Sequence, residues 1–181
     1  MERRALPLSR IARFRLGFVV DPLPEHVKYR GMLAIPYLRH TLSGEWKVVA
    51  MRFRSIDPTG QTKYLQPEGS TTRLFNTVDA ANQEDTIALC EGELDAITAS
   101  VNGIPAVGVA GVQAWKKHYT EIFLGYRAVY VLADGDDPGR SFAAMLSQLL
   151  GNVTIVQLPD GEDVNSITVS GKIGWIKERL H

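Results

Sequence analysis

The sequence predicts an α/β fold, a mostly parallel sheet flanked by helices, preceded by a small basic subdomain built on antiparallel strands. Three observations carry this prediction. Residues 31–76 alternate apolar and polar with period two and are broken by turn residues. Between residues 87 and 156, four short apolar runs are separated by helical patterns, the signature of strands joined by crossover helices. Between these regions, residues 77–85 are polar and short of bulky side chains, as at a joint between subdomains. The expected division is therefore residues 1–84 and residues 85–181.

Composition sets outer limits. A chain of 181 residues with 45% hydrophobic content can bury a real core, as one domain or as two small ones. No apolar run approaches a membrane span, and the basic N-terminus lacks the apolar stretch of an export signal. One cysteine, Cys90, sits inside an apolar run, so it forms no internal disulfide and reads as a small buried hydrophobe. A cytoplasmic protein is expected. The net charge of zero hides an uneven split: 13 Lys and Arg against 8 Asp and Glu in residues 1–84, then 7 against 12 in residues 85–181. A basic front half beside an acidic back half suits a nucleic-acid backbone held next to a metal site.

In the first half, Arg10 and Arg13 with Ile11 and Phe14 fit a short helix, and Pro22 and Pro24 close that stretch. Residues 33–37 and 46–53 read as two strands joined through Ser43 and Gly44. A second turn, Asp57-Pro58-Thr59-Gly60, leads into Lys63, Tyr64 and Leu65. In the second strand Val49, Met51 and Phe53 share one face, which leaves Arg52 and Arg54 on the other, the ordinary polar face of an antiparallel sheet.

In the second half, strands are expected at residues 87–90, 106–109, 128–132 and 153–156. Leu94, Ile97, Thr98 and Val101 follow helical spacing, stopped by Asn102 and Gly103. Trp115 to His118 fit a further helix. Asp137, ahead of Pro138, is placed to cap a helix whose apolar stripe is Phe142, Met145, Leu146, Leu149 and Leu150. That assignment leaves Asp134 and Asp136 without structural employment. A closing helix is expected around Ile173, Ile176 and Leu180.

Acidic residues appear each time an apolar run of the second half stops: Glu91 and Asp95, then Asp134, Asp136 and Asp137, then Asp160, Glu162 and Asp163. In open parallel sheets ligands bind beyond the carboxyl ends of the strands, so these groups are expected to face one pocket. Carboxylates brought so close repel, and either some take up protons or a cation lies between them. Oxygen ligands without a Cys or His cluster favour magnesium or manganese over zinc. Magnesium bound by a few carboxylates and substrate phosphate suits phosphoryl or nucleotidyl transfer.

Taken together, Glu91-Gly92 with Asp95, Asp134-Gly135-Asp136, and Leu158-Pro159-Asp160-Gly161-Glu162-Asp163 resemble a TOPRIM domain. That metal-binding fold is shared by DnaG-type primases, type IA and II topoisomerases, some nucleases and a recombination mediator. The run from Trp46 to Arg54, with Lys63 to Leu65, Pro67-Glu68 and Arg73 to Phe75, is similar to the basic subdomain that precedes TOPRIM in primase polymerase cores. The resemblance implies a Rossmann-like sheet with Glu91, Asp134 and Asp136 as catalytic acids. It implies that Glu91, Asp95, Asp134, Asp136 and Asp163 hold Mg2+ or Mn2+, and that Arg52, Arg54, Lys63 and Arg73 contact template or nucleotide phosphates. One departure is Asn165, where the family often has a further acid, so a second metal is expected to bind weakly or only with nucleotide. A zinc ribbon precedes the core in bacterial primases, and one cysteine with four histidines cannot build it here.

The resemblance thus implies a primase-type DNA-directed RNA polymerase that makes short RNA primers on single-stranded DNA from nucleoside triphosphates. It would be a dissected core or a minimal phage, plasmid or bacterial form, with a zinc-binding module and a replicative helicase on other chains. The rivals are a TOPRIM nuclease, which would cleave without nucleotides, and a non-catalytic module that only docks nucleic acid in replication or recombination.

Overall fold

In the computed structural model, residues 4–57, 62–82 and 84–180 are described, the Val112 side chain apart. The chain forms two compact units, residues 11–72 and residues 73–181 together with residues 1–10. The expected turn at residues 57–60 lies, beyond Asp57, outside the described residues.

The smaller unit opens with helix α1 (Leu8–Ile11), which runs across the unit boundary, and a 3-10 turn (Ala12–Phe14) that buries Ile11 and Phe14. Its sheet has four antiparallel strands in sequence order: β1 (Gly17–Phe18), β2 (Leu33–His40), β3 (Trp46–Arg54) and β4 (Tyr64–Leu65). The hairpin of β2 and β3 turns at residues 41–45, where the Glu45 amide donates to Thr41 Oγ1 at 3.0 Å. Tyr37 pairs with Ala50 but Leu38 pairs with Val48, so Val49 is an extra, bulged residue. The expected common face for Val49, Met51 and Phe53 is therefore broken at Val49. On the face of Phe53 a small core forms from Tyr29, Met32 and Phe53, with Tyr29 stacked on Phe53 at 3.9 Å between ring centroids. The opposite face is not the solvated one that the alternation predicts. Ile35 pairs with Arg52, Tyr37 lies two residues on, and both Ile35 and Tyr37 are buried.

The larger unit holds a parallel sheet in the order β6-β5-β7-β8, from β5 (Thr86–Cys90), β6 (Ala106–Gly108), β7 (Ala128–Ala133) and β8 (Val153–Gln157). All four fall on the apolar runs. Every residue of β7 is buried, as for a central strand covered on both sides. Ile87, Leu89, Val129 and Val131 form one core with Phe142, Ala143 and Leu146 of α5 (Asp137–Leu149) and Phe123 of α4 (Thr120–Phe123). The alternate residues Ala88, Cys90, Tyr130 and Leu132 are buried as well. Leu94 and Ile97 of α3 (Glu93–Val101), Val164 and Ile167 of α6 (Val164–Val169) and Ile176 of α7 (Ile173–Lys177) are buried too. The closing segment is thus two short helices in place of one, parted by a turn through Gly171 at φ 76°. Trp115 to His118 likewise form no α-helix: 3-10 turns at Val112–Ala114 and Lys117–Tyr119 lead into α4.

The polar joint expected at residues 77–85 is instead a helix, α2 (Thr77–Ala81), within the larger unit. Asp79 is buried there. Its carboxylate accepts from the Ala106 amide at 3.1 Å and from the Ser100 hydroxyl, while Asn76 Nδ2 donates to the Ala106 carbonyl at 2.8 Å. These bonds tie α2 to the edge strand β6, so the boundary between the units falls at residue 73.

Candidate active site

The chain leaves β5 to one side to form β6 and then returns to the other side of β5 to form β7. The sheet therefore reverses direction between β5 and β7, where open α/β sheets carry their ligand crevice. Cys90 pairs with Leu132 in register, so Glu91 and Asp134 follow at the carboxyl ends of adjacent strands. Both are half-buried.

Close backbone contact seats Asp134. The Gly135 amide donates to the Glu162 carbonyl at 2.8 Å, and the Gly161 amide donates back to the Gly135 carbonyl at 2.8 Å. A Cβ on Gly135 would lie 1.8 Å from the Pro159 carbonyl oxygen, and one on Gly139 would lie 2.3 Å from the Asp134 carbonyl oxygen. Only glycine lets the β8 loop and the start of α5 approach this closely. The cap of α5 is Asp136, not Asp137. Asp136 Oδ1 accepts from the Gly139 amide at 2.8 Å, while Asp137 sits in the first helical turn, paired with Arg140 at 2.7 Å. Two aspartates precede Pro138, and proline is tolerated at the second helical position as at the first, because the first-turn amides have no partner within the helix.

The other acids also carry structural bonds. Asp163 caps α6 in a reciprocal box: its side chain accepts from the Ser166 amide at 2.6 Å, and its own amide donates to Ser166 Oγ at 2.9 Å. Asp95, in the first turn of α3, accepts from the Asn165 amide at 3.1 Å. Asn165 is only 5% exposed. Its Nδ2 donates to the Arg4 carbonyl at 2.8 Å and to Thr98 Oγ1 at 3.1 Å, and its Oδ1 accepts from Arg4 at 3.3 Å. Asn165 is thus a clamp joining the N-terminal residues to α3 and α6, a role its sequence position does not signal. Glu162 accepts from the Ser166 hydroxyl.

The electrostatics centre on Asp134. Burial first, then Asp95, Glu91, Asp163 and Asp136, push its carboxyl up to about 8 from an ordinary 3.8. The other four acids singled out in the sequence therefore stand within electrostatic reach of Asp134. Asp134 Oδ1 is buried and accepts no hydrogen bond among the described residues, although buried oxygens ordinarily find a donor. Among the described residues no three His, Cys, Asp or Glu are gathered closely enough to hold a metal ion as they stand. The acids form a negative field around one orphaned oxygen, a donor set whose chemistry fits a hard divalent cation. Burial, with Asp95 and Asp134 nearby, pushes the Cys90 thiol well above its usual value, so this cysteine is inert as expected.

The basic residues divide. Arg52 and Arg54 are half-buried around Tyr64: their guanidinium carbons lie 4.2 and 5.3 Å from its ring centroid, and Arg54 donates to the Tyr64 hydroxyl at 2.7 Å. Tyr64 is the member of this group that the sequence did not single out. Lys63 is exposed beside it, and Arg73 is exposed at the start of the larger unit. Among the described residues, no helix is long and apolar enough to cross a membrane.

Comparison with known proteins agrees with this geometry. Residues 88–168 match a family described as Toprim-like. The chain is 48% identical over 152 residues to the Gene 57 protein of Mycobacterium phage D29, covering 84% of this chain and 99% of that protein. Among solved structures it resembles a DnaG primase catalytic domain bound to single-stranded DNA, with a TM-score of 0.77 at 22% identity over 99% of this chain and 68% of that one. It also resembles the primase fragment of the bacteriophage T7 primase-helicase, with a TM-score of 0.73 at 21% identity over 100% of this chain and 73% of that one.

Proposed function

The chain belongs to the Toprim-like family and shares the fold of primase catalytic cores, and from that premise we propose that it is a primase-type nucleotidyltransferase making short RNA primers on single-stranded DNA. One observation carries the reading. The buried Asp134 oxygen accepts no hydrogen bond from the described residues, at a strand end crowded with acids, where a divalent cation would be held and a triphosphate drawn in. The likeness to a DNA-bound primase domain spans both units of this chain and supports assigning them a joint task.

In this reading Glu91, Asp134 and Asp136 would hold magnesium or manganese, with Asp95 and Asp163 adding negative charge behind them. Bound there, the ion supplies positive charge for the triphosphate and eases ionisation of the primer hydroxyl. The pairing of Gly135 with the residue 159–162 loop keeps the Asp134 backbone from yielding when a charged substrate arrives. Arg52 and Arg54 bind phosphate oxygens, with Tyr64 holding their guanidiniums in place, and Lys63 and Arg73 add exposed positive charge. In the reaction the primer 3′-hydroxyl gives its proton to solvent, its oxygen bonds to the α-phosphorus, the bond to the bridging oxygen breaks, and pyrophosphate leaves with the electron pair.

The test is ribonucleotide incorporation on single-stranded DNA by the intact chain with magnesium or manganese. Template-dependent oligoribonucleotides are expected, and their loss in Asp134→Asn. Metal-dependent cleavage of DNA without nucleotides would replace the reading by a nuclease. DNA affinity with neither reaction would replace it by a docking module.

A further inference from the structure

We propose that Trp46, with His40 and Arg15, forms a stacking platform for unpaired bases of single-stranded DNA, on the face of the antiparallel sheet opposite Arg52 and Arg54. The proposal rests on the nucleic-acid reading above and adds a contact surface to it. His40 and Trp46 are registered partners at the turn end of the hairpin, so their side chains leave the same face. Counting back from Arg52 through the bulge at Val49, that face is the one opposite the two arginines. The rings stand 4.9 Å apart, tilted by 55°. Arg15 lies over the indole at 5.8 Å. Trp46 nevertheless keeps 42% of its surface in water, unusual for a tryptophan without a ligand or partner.

One further feature points to a nucleic acid. Residues 33–54 carry four Lys and Arg and one acid, Glu45, so the aromatic surface belongs to a hairpin of net positive charge, although Arg39, Lys47, Arg52 and Arg54 stand on its other face. An exposed indole with a cation beside it is one way proteins hold single strands without reading their sequence, since every base has a face to stack.

The experiment titrates fluorescent oligothymidylate with the full chain, with Trp46→Ala and with Trp46→Phe. Alanine should weaken binding by about 5- to 150-fold, the range for loss of one stacked base, and phenylalanine should restore most of it. In a Trp115→Phe/Trp175→Phe variant, emission comes from Trp46 alone, and the same oligonucleotide should quench it. Unchanged affinity in Trp46→Ala, or unquenched Trp46 emission, overturns the platform even if the chain makes primers. Trp46-dependent binding in a chain that makes none sustains the platform while the catalytic reading falls.

Discussion

Replacing Asp134 with asparagine removes a carboxyl that the folded chain can ionise only against four other acids. Its carboxyl is pushed from 3.8 to about 8, so between those values the folded chain keeps a proton that the unfolded chain has released. Stability must then fall as pH rises from about 4 to about 8, because the unfolded state binds fewer protons over that window. Four units at ~1.4 kcal/mol each set a ceiling of ~6 kcal/mol. Asp134 is half-buried, and water reaching it screens the field, which brings the expected penalty down to ~1–3 kcal/mol. Asparagine has nearly the same shape and loses no hydrogen bond from the described residues at the orphaned Oδ1. In EDTA at pH 8, Asp134→Asn should therefore be more stable than the parent by ~1–3 kcal/mol, and at pH 4 the two should coincide. Urea melts at both pH values measure this. Added manganese should raise the melting temperature of the parent and leave the variant where it was. Equal stabilities at pH 8, or a parent whose stability is flat from pH 4 to 8, would refute the argument that these acids crowd one another.

Two other substitutions separate structural from chemical roles. Asp163→Asn keeps an acceptor for the Ser166 amide and should leave the melting temperature almost unchanged while weakening manganese binding in a calorimetric titration, whereas Asp163→Ala should also cost ~1–2 kcal/mol in urea melts through loss of the cap. Asn165→Asp replaces two donated hydrogen bonds with acceptor facing acceptor at the Arg4 carbonyl and leaves a buried charge near Asp95, so ~2–4 kcal/mol should be lost at pH 7 in the same melts.

Much of this architecture was legible in advance for physical reasons. Three of the four parallel strands are buried enough to read as unbroken apolar runs, the edge strand β8 is marked by Val153, Ile155 and Val156 although only Val156 is buried, and a sheet with a direction reversal has one place where its carboxylates can meet. Glu91 and Asp134 follow from those two facts alone. Partners distant in sequence were not legible. Asp79 looked like part of a polar joint because nothing local reveals its bonds to Ser100 and Ala106. The clamp at Asn165 reaches back 161 residues to Arg4. The Asp136 cap was misplaced by one residue because adjacent aspartates before proline are equivalent until the helix axis is known. Alternation in β3 predicted a solvated arginine face, and the buried Ile35 and Tyr37 of the paired strand overrode it.

The interlock of Gly135 with the Pro159 carbonyl also bears on how this crevice can diversify. A methyl group there would collide with main chain, which unlike a side chain has nowhere to turn. Descendants of this sequence that acquire new chemistry should therefore do so by exchanging the groups hung on the rim, while the rim itself passes unaltered from one to the next.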